Sequence, residues 1–319
     1  MNRKTRPVVA QILWMAAGRF EAQTGWLLFR RPRLGALRRF TRTGLQGLFS
    51  VLLLGSVTGA VRLYAWGPAA HRLVNNWAVE TLPPDVRPFF EASRHFLVDH
   101  ANDPNDWIKK DPYERTRHYI YLDKYGLFPY LNLPYSYKAA AAKYGTHRLN
   151  RDGMLPWQIG EYSLRLTNDL RDQKWDDARL DAAVLAHYVA DAHCPINTTQ
   201  NYDGQLTQQT GLSGRFGSSL IERYTNFFIF HPEDAVKIND PTAHAFEMVV
   251  EANTWVDRVL WADWLSRAGY SDYTDEYFDH FYSLVGPTAI QEINSAAHDA
   301  GSYWYSAWLN ADRPALPAH

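Results

Sequence analysis

His187 and Asp191 lie one helical turn apart in the largely apolar segment AHYVADAHCPIN, residues 186 to 197. Residues four apart on a helix share a face, and Leu180 and Val184 extend that face toward the N-terminus. A buried carboxylate is costly unless a cation or several hydrogen-bond donors meet it. A divalent metal would satisfy both side chains, and so would a hydrogen-bonded His–Asp pair in a helix-bundle core. The segment alone leaves both interpretations open.

Three more side chains that can bind metals lie in two other segments. His71 follows Trp66 by five residues in AWGPAAH. Asp103 and His118 are fifteen residues apart in HANDPNDWIKKDPYERTRHYIYLDKYG, each beside aromatic residues. Singly, they would be an exposed histidine, a turn aspartate and a surface histidine. Because zinc takes imidazole nitrogens and carboxylate oxygens as ligands, the five side chains together form a candidate metal-binding set.

Helices must position these side chains. From residue 66 onward, apolar residues recur at helical spacing and strand alternation is scarce. The pattern and its prolines predict helices over residues 67–82, 176–193, 241–270 and 287–310. A further helix is predicted to begin in the segment PPDVRPFF. The polar, glycine-bearing residues 197–219 are expected to connect helices. With no repeat and no internal linker, the sequence predicts one all-α domain over residues 66–319.

Charge divides the chain into two unlike parts. Of its 33 Lys and Arg residues, ten lie in residues 1–42 with Glu21 as the only acid there, so the remainder holds 23 basic and 33 acidic residues, a net charge of −10. A content of 46% hydrophobic residues is enough for a folded core. Cys194 is the only cysteine, which excludes an internal disulfide and leaves the compartment open.

The basic part leads into residues 43–61, nineteen residues without a formal charge. Arginines before a short apolar stretch indicate a secretory signal or an uncleaved membrane anchor. A buried core helix is the alternative. Cleavage between Ala65 and Trp66 is expected, although Leu63 is large for the position three before the cut. We therefore place residues 1–65 outside the helical domain and expect the domain to be secreted, periplasmic or anchored facing out of the cytoplasm.

The chain resembles the superfamily of zinc-dependent phospholipases C and single-strand-specific nucleases, especially its bacterial phospholipase-C-like branch. The resemblance extends from Trp66 to about Pro317 and rests on AWGPAAH, DPNDW, RHYIYLDKYG, LPW, AHYVADAHCP, NYDGQLT and AWLNADRP. It implies an all-α multi-helix domain of that type with three zinc ions at one end.

The resemblance also implies a ligand set for two of these ions. The first zinc would be held by Asp103, His118, His187 and Asp191. The ion paired with it would be held by His71, a shared Asp191, and the α-amino nitrogen and carbonyl oxygen of Trp66. An α-amino group has a pKa near 8, so a metal can deprotonate it at neutral pH. This role of Trp66 depends on cleavage after Ala65.

The chain departs from the family pattern at the third zinc. Asn197, Ser213 and Gly217 stand where relatives have two histidines and an acidic residue. An amide oxygen is a weak zinc donor, a neutral hydroxyl is weaker, and glycine has no side-chain ligand. His193 and Cys194 could substitute, or could pack at the helix end. All three missing ligands belong to one zinc site, so we expect two zinc ions rather than three.

The resemblance implies a phospholipase-C-like hydrolase of phosphoric esters. Two metals that share a carboxylate can lower the pKa of water from about 15.7 toward 7 and direct the resulting hydroxide at phosphorus. Asp103 and Asp191 are the candidate catalytic carboxylates. Without the third cation, a loss of about 10² to 10³ in rate is expected.

The alternatives are a weak or inactive relative that acts as a binding protein and a single-strand nuclease. The acidic domain favours lipid over nucleic acid, residues 43–61 suggest membrane association, and no protein partner can be inferred.

Overall fold

A computed structural model describes residues 66–268 and 272–317. These residues form helices, turns and loops without a strand, which confirms the all-α, multi-helix prediction. The α-helices are α1 Pro68–Thr81, α2 Arg87–Ala92, α3 Arg94–Asp99, α4 Asp103–Trp107, α5 Tyr137–Tyr144, α6 Thr146–Asp152, α7 Leu155–Arg171, α8 Trp175–Ala192, α9 Leu212–Gly214, α10 Ile221–Tyr224, α11 Pro241–Asn253, α12 Val256–Arg267 and α13 Asp275–Asn310. Short 3₁₀ segments at Glu114–His118, Leu122–Lys124, Pro195–Thr198 and Thr225–Phe227 join them.

Helix α8 lies at the centre of the domain. It packs against α1, α3, α7, α11 and α13, and every residue from 181 to 192 is buried. A helix that is apolar on all sides belongs in the interior, and the alanine, valine and leucine content of this segment fits that rule. The metal-binding candidates on α8 are therefore held in the middle of the core.

Helices α1 and α13 make the most extensive helix pair, and they approach closely at Gly301. A Cβ added at Gly301 would lie 1.9 Å from Oγ1 of Thr81 and 2.9 Å from the carbonyl oxygen of Ala78. A side chain at this position would push the helices apart. Because α1 carries His71, this contact helps to fix that ring over α8.

The structure corrects two predicted helix limits. The helix predicted over 241–270 is interrupted, since α11 ends at Asn253 and α12 begins at Val256. The helix predicted to start at Pro287 begins at Asp275 instead, where the Thr274 hydroxyl accepts from Tyr277 N at 3.4 Å. Burial of Tyr277, Phe278, Phe281 and Val285 offsets the cost of about 3 kcal/mol for an internal proline.

Residues 197–219, predicted as a connecting loop, are partly helical. They contain the end of a 3₁₀ turn at Pro195–Thr198, the short helix α9 and most of a π-helix at Arg215–Leu220. Polar and glycine residues suggested a loop, but several of these residues are buried against the core. Tertiary packing outweighs the local preference here.

No helix within residues 66–268 and 272–317 is long and apolar enough to cross a bilayer. The segment predicted as a signal or anchor, residues 43–61, lies outside the described residues, as does Ala65 of the expected cleavage site.

Candidate metal centre

Three buried side chains from two helices converge on one point. His71 from α1 and His187 and Asp191 from α8 each offer a ligand atom, and these atoms lie within 4.8 Å of one another. The His71 ring stacks on the His187 ring at a centroid distance of 3.8 Å, and His71 Nε2 lies 3.7 Å from Asp191 Oδ1. Such a group could bind a metal ion.

His118 completes the cluster from the end of its 3₁₀ turn. Its Nδ1 lies 2.8 Å from Asp191 Oδ2 and 3.1 Å from His187 Nε2. His187 Nε2 is in turn 3.3 Å from Asp191 Oδ2. The structure therefore brings together four of the predicted ligands, and Asp191 contacts all three histidines.

The hydrogen bonds of His187 assign its tautomer. Its Nδ1 lies 2.7 Å from the carbonyl oxygen of Ala101, which can only accept, so Nδ1 carries the proton. Nε2 then faces Asp191 and His118. A backbone carbonyl that orients a histidine in this way is typical of the surroundings of metal ligands.

Burial and neighbouring histidines keep His71 neutral. Its pKa is well below the usual value because the ring is buried and because His187 lies beside it. Asp191 and the backbone of Trp66 act in the opposite direction with smaller effect. Nδ1 of His71 is buried without a hydrogen-bond partner. A neutral imidazole with an unused nitrogen has the protonation state that metal binding requires.

His118 has the opposite character. Burial alone would lower its pKa, but hydrogen bonds with Asp191 and Glu114 raise it to about 9. The proton on His118 then neutralises Asp191, whose pKa lies far below its usual value despite burial because His187, His118 and His71 surround it. A metal ion would have to displace this proton. These hydrogen bonds thus also satisfy the alternative of a hydrogen-bonded His–Asp cluster.

Glu114, which was not among the predicted site residues, contacts His118 at Nε2, the ring nitrogen that does not face Asp191. Its Oε1 lies 3.4 Å from His118 Nε2, and its carboxylate accepts from Arg117 and Tyr188. Burial opposes ionisation, but the hydrogen bonds with His118, Tyr188 and Arg117 lower its pKa to about 2. Glu114 lies four residues before His118, a spacing that could have suggested a contact in a helical turn.

Asp103 lies outside the group. It begins α4, where its Oδ2 is 2.6 Å from Nδ1 of His100, and its side chain is 32% exposed. The i,i+3 spacing from His100 satisfies this carboxylate locally, without a metal. The assignment of Asp103 as a zinc ligand and catalytic carboxylate stays a prediction of the resemblance.

Trp66 lies at the site but offers no side-chain ligand. Its ring is fully buried and stacks on Phe216 at 5.2 Å, and the backbone of Trp66 acts on the ring of His71. The next residue, Gly67, donates its N–H to the carbonyl oxygen of Gly217 at 2.8 Å. The proposed role of its α-amino group depends on a cut beside Ala65, which the structure does not describe.

The three positions assigned to a lost third zinc have internal partners. The Asn197 amide donates to Asp191, to Oδ1 at 3.2 Å and to the carbonyl oxygen at 3.1 Å. Both the backbone N–H and the hydroxyl of Ser213 donate to Asp203 Oδ1, the hydroxyl at 2.7 Å. Gly217 accepts from Gly67. Of the possible substitutes, His193 is engaged outside the cluster, with Nε2 2.8 Å from Asp299 Oδ2. Cys194 is buried, and its backbone N–H donates to the carbonyl oxygen of Asp191 at 3.1 Å.

The cluster opens on a surface cavity. Its wall contains His118 and Asp191 from the cluster and Asn197 and Ser213 from the altered positions, together with Arg115, Tyr119, Tyr121, Tyr202, Asn105 and Ile108. The rings of Tyr119, Tyr121 and Tyr202 stack in series, at 4.4 Å and 5.8 Å. Arg115 is exposed and has no ion pair among the described residues. A cation at the mouth suits an anionic ligand.

Comparison with models of known protein families gave no match to this chain, and comparison with curated protein sequences gave none either.

Proposed function

We propose that this protein is a zinc-dependent hydrolase of phosphoric esters that is secreted or anchored to a membrane outside the cytoplasm. Its metal centre would be of the phospholipase-C type, with two zinc ions instead of three. The proposal is carried by one observation: His71, His187 and Asp191 meet in the core and contact His118 beside a cavity whose mouth bears a cation. The sequence resemblance to zinc-dependent phospholipases C and single-strand nucleases supplies the reaction class.

The donor set fits zinc. Imidazole nitrogens and a carboxylate oxygen are borderline ligands of the kind zinc selects. His71 Nδ1 is buried without a hydrogen-bond partner, so this ring has an uncommitted nitrogen. Bound zinc would supply Lewis acidity, lowering the pKa of water toward 7 and polarising a phosphoryl oxygen.

The protein's own groups have separate tasks in this proposal. Asp191 and the three histidines would hold the cations, and the carbonyl of Ala101 fixes the ring of His187. Glu114 orients His118 through the contact at Nε2. Arg115 binds a non-bridging oxygen of the phosphoester. It thereby offsets part of the negative charge that a third cation would otherwise neutralise.

Lipid is favoured over nucleic acid as the substrate class. The chain after residue 42 carries a net charge of −10, whereas a single-strand nuclease requires a positively charged groove along the nucleic-acid strand. The stacked tyrosines in the cavity wall are the feature that would favour a nucleotide instead. Hydrolysis of a phospholipid, compared with hydrolysis of single-stranded DNA under the same zinc concentration, distinguishes the two.

A non-catalytic binding protein is the second candidate. It is favoured by the hydrogen bonds that engage Asn197 and Ser213 and by the backbone contact of Gly217, since these positions are integrated into the fold. In this alternative the metal would stabilise the fold and the cavity would bind an anionic ligand.

Activity of the full chain towards a phosphodiester tests the proposal. Hydrolysis should require zinc, should be abolished by a chelator, and should be lost in Asp191→Asn while the variant stays folded. The triple variant Asn197→His, Ser213→His and Gly217→Glu addresses the second candidate. If the native chain is inactive and the triple variant is active, the native protein is a binding protein. If the native chain is already as active as the triple variant, the second candidate is excluded.

A further inference from the structure

One surface loop exposes large apolar side chains. The loop, residues 126–133 with the sequence GLFPYLNL, is called the Leu127 loop. Leu127 is 91% exposed, Leu131 is 86% exposed and Phe128 is 59% exposed. Isolated exposed leucines are common on soluble proteins, but three large apolar side chains on one short loop indicate an interaction surface.

The loop is held in place beneath these side chains. The Tyr130 hydroxyl donates to Asn253 Oδ1 at 2.6 Å. On the other side, Lys143 Nζ and the Tyr144 hydroxyl donate to the carbonyl oxygen of Asn132 at 2.7 and 2.9 Å. Leu133 is buried. The loop is therefore anchored to the domain while its leucines project from the surface.

The sequence around the loop is rich in basic residues, although Asp123 and Asp152 flank this stretch and Arg148 and Arg151 are paired with Asp152. Residues 124–151 contain five Lys or Arg residues and no Asp or Glu, namely Lys124, Lys138, Lys143, Arg148 and Arg151. Lys124 and Lys138 are exposed and make no ion pair within the described residues. This charge is complementary to an anionic surface, and it contrasts with the net charge of −10 after residue 42.

Tyrosines add a third feature. Tyr135 and Tyr137, which follow the loop, are 41% and 39% exposed. Tyrosine is enriched where membranes meet water because its ring is apolar and its hydroxyl is polar. Projecting leucines, flanking lysines and interfacial tyrosines together match the surface of a lipid bilayer.

We propose that the Leu127 loop inserts Leu127, Phe128 and Leu131 into the outer part of an anionic lipid bilayer. Lys124 and Lys138 contact the headgroups. A second protein would require a surface that matches narrow projecting leucines, whereas acyl chains accept them without shape matching. The unpaired lysines favour anionic headgroups, so a bilayer is the occupant that agrees with both features.

The Leu127 loop follows a cavity-lining segment in the sequence. Tyr121 lines the cavity beside His118, and Leu127 follows it by only six residues. The inference extends the proposed hydrolase by naming its substrate as lipid within a bilayer. The docking itself rests on the Leu127 loop alone, and it can be measured without any hydrolysis.

The test is the environment of a probe on the loop. Full-length Leu127→Cys is labelled with an environment-sensitive fluorophore and reconstituted with vesicles of phosphatidylcholine, with or without phosphatidylglycerol. Cys194 is buried and does not compete for the label. The matched control is Leu164→Cys on α7, an exposed leucine (61%) away from the loop. Both proteins carry the same N-terminal segment, so any contribution of residues 43–61 is common to both.

A blue shift at position 127 with anionic vesicles, and none at position 164, is the expected result. In the combined Lys124→Gln and Lys138→Gln background, the half-maximal shift should need about tenfold more anionic lipid. The inference is overturned by no shift at 127, by equal shifts at both positions, or by a shift that grows with protein concentration without lipid, which would identify a second copy of the chain as the occupant. Metal removal should leave the shift unchanged, so failure of hydrolysis and failure of docking are separate outcomes.

Discussion

The side-chain amide of Asn197 donates a hydrogen bond to Oδ1 of Asp191 at 3.2 Å. An amide nitrogen is a donor and cannot bind a cation, so in this orientation Asn197 stabilises the ionised form of Asp191. The residue at a position assigned to a lost third zinc is thereby connected to the group that could hold a metal. The amide of Asn197 therefore supports Asp191 where the resemblance would place a ligand of a third zinc.

Asn197→Asp tests this connection. It replaces the donor with a second carboxylate next to Asp191, and the free energy of unfolding without metal should fall by about 1–3 kcal/mol. Added zinc should recover much of this loss, because a cation relieves the repulsion. Thermal unfolding with and without zinc measures both effects. The control is Asn201→Asp, a buried asparagine bonded to Thr207 instead. Equal recovery by zinc in both variants would contradict the account.

Arg115→Ala removes the cation at the cavity mouth. The rate of phosphodiester hydrolysis should fall by about 10² while the zinc content stays unchanged, because the proposed role of Arg115 is to bind the substrate rather than the metal ligands. Arg115→Lys should restore part of the rate. Lys110→Ala removes another exposed cation outside the cavity and should have little effect. A loss of zinc in Arg115→Ala would show that the residue acts through the metal centre instead.

Gly153→Ala should disturb the segment that carries His118. Gly153 has φ +108°, and an added Cβ would lie 2.1 Å from the carbonyl oxygen of Tyr119. The expected loss in the free energy of unfolding is about 3 kcal/mol or more, with weaker zinc binding. Gly145→Ala is the matched control, since Gly145 has φ +82° but no neighbour within 4 Å, and its cost should be about 1 kcal/mol. Denaturant unfolding measures both. Equal losses would mean that the contact with Tyr119 is unimportant.

His244 should make stability depend on pH. Burial lowers its pKa, but the hydrogen bond to Asp299 Oδ1 at 2.8 Å and the contact with Glu247 raise it above its usual value of 6.5. A raised histidine pKa stabilises the fold fully below pH 6.5, and the contribution is lost as the pH rises through the folded-state pKa. The difference in unfolding free energy between the native chain and His244→Gln, about 1 kcal/mol, should therefore shrink from pH 6 to pH 9. A difference that grows over this range would contradict the assignment.

Periodicity predicted much of the fold. Helix α8 runs from Trp175 to Ala192, against a predicted 176–193, and α1 runs from Pro68 to Thr81, against 67–82. Both segments have a clear apolar pattern and a proline at one end. The start of α13 was missed because Pro287 resembles a first-turn proline. The buried aromatic residues before it, such as Phe281, carry no local signal that would outweigh that pattern.

Only part of the candidate site was predictable from the sequence, since the predicted ligand Asp103 lies apart from the cluster. His187 and Asp191 share a helical face, so their convergence followed from spacing alone. The meeting of His71 and His118 with them depends on long-range packing and was expected only from the resemblance. The carbonyl of Ala101 and the carboxylate of Glu114 carry no signal of this kind, because their roles arise from chain segments that meet only after folding.

The network around Asp299 was also missed. His193 and His244 both bond its carboxylate, His193 from the end of α8 and His244 from α11. His193 and His244 are 51 positions apart in the sequence, and His244 and Asp299 are 55 positions apart, so no local pattern connects the three residues. Their pairing also explains why His193, although close to Asp191 in the sequence, is committed to a different cluster.

Zinc stoichiometry tests the central claim most directly. The purified full-length chain is loaded with zinc, passed through gel filtration and analysed for metal, beside Asp191→Asn and the control Asp299→Asn, which removes a buried carboxylate that contacts histidines outside the site. The account predicts about two zinc ions per chain in the native protein and in Asp299→Asn, and loss of zinc in folded Asp191→Asn. A folded native chain without zinc, or an Asp191→Asn variant with the native zinc content, would contradict it.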